Sequence, residues 1–110
     1  MDDDTPRRAL LDLDVDAGTT TIIRLGGDLD PATAPLLEQA VQQAVDTAGV
    51  DRVVLDLGGL AFIDSSGLRV FVTARQALSE RGATLLLRNP SANTKRLLDI
   101  TGLGEIISVD

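Results

Sequence analysis

Two adjacent hydroxyls, Ser65 and Ser66, follow Asp64 and precede Gly67. The run Val53-Val54-Leu55-Asp56-Leu57 before them reads as a strand, and Leu68 to Leu78 carries apolar residues at helical spacing. The serines therefore fall at a strand-to-helix turn. The first turn of a helix presents unpaired backbone N–H groups and the positive end of its dipole, so it suits a phosphate ester on a serine. A plain helix cap is the competing reading, because serine is a favoured N-cap. Yet one cap needs only one hydroxyl. The reciprocal capping partner is also missing, since Leu68 and Arg69 stand three residues after Ser65 and Ser66. Gly67 is about 1 kcal/mol worse than Ala in a helix, so something other than helix stability favours a small residue there. A flat turn approached closely by a partner protein is the expected reason.

A second segment, Gly26-Gly27-Asp28-Leu29-Asp30, precedes the first helix and is read as a loop. It follows a strand adjacent to the one before Ser65, so both turns are expected at the carboxyl edge of a parallel sheet. That placement brings Asp28, Asp30 and Asp64 toward the serines. An acidic triplet could hold magnesium for phosphoryl transfer. The loop, however, lacks a basic residue to grip a polyphosphate, and it lacks the glycines and lysine of a P-loop. The site thus reads as the substrate of a kinase, with no metal and no cofactor expected. Nucleotide binding is the weaker alternative. With no Cys and no His, thiol nucleophiles, imidazole bases and disulfides are excluded, and the chain is expected not to be an enzyme.

At 110 residues, 44% hydrophobic and 25% charged, the chain has the size and composition of one globular domain. A net charge of −7 and only two aromatics, both Phe, argue against direct nucleic-acid binding. No apolar run approaches the roughly 18 residues of a membrane span, and the acidic start Met1-Asp2-Asp3-Asp4 is unlike a secretory signal. A cytoplasmic protein without membrane insertion is expected.

Residues 1–8 are expected to be a flexible start and residues 9–110 the domain. Leu10 to Val15 alternates as a half-exposed strand, Ala17-Gly18 turns, and Thr19 to Leu25 forms the return strand of a hairpin. Asp30-Pro31 opens a helix, with Asp30 as N-cap and Pro31 in the first helical position, running to about Ala48. Its apolar face is Leu36, Leu37, Ala40, Val41, Ala44 and Val45, with Glu38 toward water. The second helix spans about Ser66 to Arg81 and buries Leu68, Phe71, Val72 and Leu78. The third spans about Ser91 to Thr101. Strands are expected at about 51–57, 83–88 and 105–109.

The order ββαβαβα and a final β specifies an α/β fold: a mixed sheet with an N-terminal hairpin followed by parallel βα units in sequential order. Alternation places Ile23, Leu25, Val53, Leu55, Leu57, Leu85 and Leu87 on one apolar face, so the helices are expected mainly on that side. The other face carries Arg24, Asp56 and Arg88, which predicts a cross-strand charge row with Asp56 between the arginines.

The segment from Val53 through Phe62-Ile63-Asp64-Ser65-Ser66-Gly67-Leu68 resembles the signature of the STAS domain, in particular the bacterial anti-sigma factor antagonists. Leu25-Gly26-Gly27-Asp28-Leu29-Asp30 is similar to that family's earlier loop. Lys95-Arg96-Leu97-Leu98 with Thr101-Gly102-Leu103 is similar to its third helix and exit. The resemblance implies that an anti-sigma factor serine kinase phosphorylates the first serine after the Asp, here Ser65, and that a PPM-type serine phosphatase reverses it. The unmodified form would capture the anti-sigma factor and free the sigma factor. Binding would involve Asp28, Asp30, Asp64, Ser66 and Gly67, extended along the exposed side of the second helix by Arg69, Val70, Thr73 and Gln76. The family commonly adds a helix after the last strand, where this chain stops at Asp110. The alternatives are an accessory subunit of a transport assembly and a small-ligand or nucleotide-binding module of the same fold. Oligomeric state is not specified by these residues.

Overall fold

A computed structural model describes residues 10–110; the expectation for residues 1–8 lies outside the described residues. Strand β1 (Leu11–Asp16) returns as β2 (Thr20–Leu29), followed by α1 (Ala34–Asp46), β3 (Arg52–Ile63), α2 (Ser65–Glu80), β4 (Thr84–Arg88) and α3 (Ala92–Thr101). A 3-10 turn (Leu103–Glu105) leads to β5 (Ser108–Val109). The five strands lie in the order β1-β2-β3-β4-β5, with β1 antiparallel to β2 and every later pairing parallel. This is the mixed sheet in sequential order that the alternation of elements predicts.

The apolar face is assembled as expected. Ile23, Val53, Leu55 and Leu87 are fully buried, and they share one core with Leu37 and Val41 of α1, Phe71 and Leu78 of α2, and Leu98 of α3. The helices thus cover one side of the sheet, and burial of that apolar area is the main term holding the layers together.

Three boundaries and one side-chain placement differ from the sequence reading. First, β2 and β3 run on to Leu29 and Ile63, so Gly26 to Leu29 is strand and not loop. Two register irregularities, between Arg24 and Gly26 and between Gly27 and Asp28, let the strands bend while staying paired. Second, α1 starts at Ala34 rather than at Pro31. Asp30 caps a separate tight turn: its Oδ1 accepts from Ala32 N and Thr33 N, and its carbonyl accepts from Ala34 N. Pro35, not Pro31, occupies the first turn of the helix, where a missing N–H costs nothing. Third, Leu36 points outward, 41% exposed, because it stands about 100° round the helix from Leu37 and off the buried stripe of Ala34, Leu37, Val41, Ala44 and Val45. Fourth, β5 is only two residues long, since the 3-10 turn takes up Leu103 to Glu105.

On the helix-free face the register sets Arg24 opposite Asp56 and Asp56 opposite Arg88, as the spacing predicts. The ion pairs nonetheless run outward to the edge strands. Arg24 Nη1 lies 3.2 Å from Asp14 Oδ2, and Arg88 Nε lies 3.7 Å from Asp110 Oδ2. Asp56 Oδ1 instead accepts from Gly58 N and Asn89 Nδ2. The result is a row of alternating charge, Asp14, Arg24, Asp56, Arg88 and Asp110, across all five strands. Its exposed pairs each add little stability.

Candidate functional site

The carboxyl ends of β2 and β3 carry the site. Asp64 N donates to Leu29 O at 3.2 Å, which ties the end of β3 to β2 just before the helix. Asp64 is extended, and its Oδ1 accepts from Ser66 N at 2.8 Å and Gly67 N at 3.4 Å. Asp64, not a serine, is therefore the N-cap of α2, and Ser65 and Ser66 are its first two residues. An aspartate here also complements the positive helix end. Relieved of capping, the Ser65 side chain is exposed, while Ser66 is half-buried.

Gly67 is buried, not presented to a partner as its small size suggested. A Cβ there would lie 2.7 Å from Leu29 Cδ2 and 2.8 Å from Ile63 Cγ1, so glycine is required for the start of α2 to close on the two strands. Gly67→Ala gains about 1 kcal/mol of helix propensity and incurs about 1–3 kcal/mol of overpacking. A net loss of about 1 kcal/mol is expected, read as a lower denaturation midpoint.

The Asp30 turn lies against Ser65. Pro31, Pro35, Glu38, Ser65, Ser66 and Arg69 line one concavity of about 300 Å³. Asp28 sits on β2 opposite Phe62 of β3, and its carbonyl accepts from Thr33 Oγ1 at 2.8 Å. The structure thus brings Ser65, Ser66, Arg69 and Glu38 around one concavity beside the Asp64 cap, while Asp28 and Asp30 do not line it: Asp28 alternates with the buried Leu29 and faces the other way, and Asp30 precedes the lining Pro31. Val70 departs from the sequence expectation: it is 2% exposed, because it shares the buried stripe of α2 with Gly67, Ala74 and Leu78. Thr73 and Gln76 are exposed, and Thr73 lines a second groove of about 510 Å³ between α1 and α2.

Two site residues went unread in the sequence. Glu38 is exposed, as its helical position predicts, and it also forms the α1 wall of the Ser65 concavity, which no sequence pattern signals. Phe62 is 51% exposed beside Asp64, an unusual position for one of only two aromatics. Its alternation with the buried Ile63 was the available signal. Among the described residues no cluster of His, Cys, Asp or Glu is arranged to hold a metal ion, and Asp30 and Asp64 spend their carboxylates on backbone N–H groups. No helix among the described residues is long and apolar enough to cross a membrane.

The site is thus an exposed serine at an Asp64-capped helix start on a one-sided mixed sheet. The chain belongs to the STAS domain family, whose model matches residues 11–110. It is 31% identical over 88 residues to the anti-sigma F factor antagonist of Paenibacillus polymyxa, covering 80% of this chain and 75% of that one. An anti-sigma factor antagonist from Mycobacterium paratuberculosis has a similar structure, with TM-score 0.80 and 25% identity over 90% of this chain and 84% of that one. The phosphorylated form of the Bacillus cell fate determinant SpoIIAA shares the fold, with TM-score 0.71 and 24% identity over 91% and 90% of the two chains. These relatives are regulators rather than catalysts.

Proposed function

We propose that this chain is an anti-sigma factor antagonist, a cytoplasmic single domain over residues 9–110 whose unmodified form binds an anti-sigma factor and thereby releases a sigma factor. Phosphorylation of Ser65 by that partner, acting as a serine kinase, switches binding off, and a PPM-type serine phosphatase restores it. The observation that carries this reading is the exposed Ser65 at the first position of α2, freed from capping by Asp64. The antagonists among the relatives favour it over a transport subunit or a nucleotide-binding module. A phosphate there adds about −1.5 to −2 charges beside the Asp64 cap and in the concavity that Glu38 lines. Repulsion and desolvation then oppose rebinding, with no refolding of the domain needed.

The test is intact-mass analysis with fragment localisation on protein isolated from its native cells across growth and stress conditions. One phosphate on Ser65 is expected; its absence throughout would sink the switch. Phe62, half-exposed, paired with Asp28 and two residues before Asp64, supplies the apolar anchor of the contact surface. Phe62→Ala is expected to weaken partner binding at least tenfold, about 1.4 kcal/mol, in a titration against the anti-sigma factor. Because the ring is already half in water, its removal should leave the melting temperature nearly unchanged.

A further inference from the structure

The hydrogen bonds at the start of α2 deny a Ser65 phosphate its most obvious seat. Asp64 Oδ1 already accepts from Ser66 N and Gly67 N, and Leu68 N donates to the Asp64 carbonyl. A phosphate on Ser65 would therefore lie beside a carboxylate that already holds the N–H groups of the next two residues. It needs a cation from elsewhere. The Ser65 concavity contains one, Arg69, which follows Ser65 by four residues on α2. Residues so spaced on a helix have Cβ atoms about 5–6 Å apart, within reach of a guanidinium fork that matches two phosphate oxygens. Glu38 lines the same concavity from α1. The ion pairs among the described residues are Arg24 with Asp14 and Arg88 with Asp110, so Glu38 does not tie Arg69 down.

We propose that Arg69 is the counter-ion of the Ser65 phosphate, with Glu38 as the opposing charge on the facing wall. This rests on Ser65 being the switch residue, and it adds how the modified state is held. Arg69 offsets the repulsion between phosphate and Asp64 inside the folded domain. Its own charge is thereby spent locally and withdrawn from the surface that a partner would meet.

The test uses the full chain with phosphoserine installed at position 65 during translation, so no kinase is involved. The second phosphate pKa is read by phosphorus NMR titration. A nearby cation favours the dianion, so Arg69→Gln should raise this pKa by about half a unit, a modest size because the site is exposed. Glu38→Gln removes a like charge and should lower it. Arg69→Lys, which keeps the charge, should retain part of the effect, whereas a purely structural role for Arg69 would not be rescued in this way. An unchanged pKa in Arg69→Gln, or a rise in Glu38→Gln, overturns the proposal. Failure to find phosphate on Ser65 in native cells would sink the switch reading and leave this titration standing.

Discussion

Phosphorylation of Ser65 is expected to weaken anti-sigma factor binding by about 100-fold or more, equivalent to about 2.8 kcal/mol. Like charges brought together at an interface cost several kcal/mol, and this phosphate lies beside the Asp64 cap on an exposed helix start. Ser65→Ala should bind as tightly as the unmodified protein and ignore the kinase. Ser65→Asp, with one negative charge, should lose only about tenfold, since phosphate carries nearly twice that charge. The measurement is a titration of each form against the anti-sigma factor at low and high salt. The penalty should shrink as salt rises, because the site is exposed and screened. Equal affinity of the phosphorylated and unmodified forms would refute the mechanism.

Gly27→Ala is expected to cost about 3 kcal/mol of folding stability, from backbone strain and overpacking together. Gly27 sits in β2 with φ +99, and a Cβ there would run into the carbonyl oxygen of Leu10. That oxygen cannot swing aside freely, because it accepts from Asp28 N at 2.7 Å. Gly82→Ala is the control. Its φ is also positive, at +76, but a Cβ there meets nothing, so only left-handed strain of about 1 kcal/mol applies. Urea denaturation of both variants separates steric conflict from dihedral strain. Similar losses would show that Leu10 yields. Because Gly27 leads directly into Asp28 and the Asp30 turn, its variant should also weaken partner binding.

The sheet was legible because strand alternation has a period of two and the helices separating the parallel strands leave little choice of order. The Arg24, Asp56 and Arg88 register followed from that count together with sequential strand order. The end of β2 was not legible: Gly26-Gly27-Asp28 has turn composition, yet β1 and β3 hold it as strand from both sides. The cap of α2 was ambiguous because Asp64, Ser65 and Ser66 can each cap, and only the extended backbone at Asp64 decides among them. Val70 was misplaced because the buried stripe of α2 is wider than its most hydrophobic members suggested. That Glu38 and Arg69 line one concavity depends on how α1 and α2 are laid side by side, which neither helix encodes alone.

The charge row on the helix-free face reads the same from either edge: acid, base, acid, base, acid. Suppose a second copy settled on this face about a twofold axis centred on Asp56. Whether the axis ran along the strands or across them, every aspartate would meet an aspartate and every arginine an arginine. The row also borders Ile22, Val54 and Leu86, the apolar residues of this face that neighbour one another through the same register. The palindrome of charge thus opposes symmetric pairing of two copies through this face, where Val54 is already covered and Ile22 and Leu86 are half-buried.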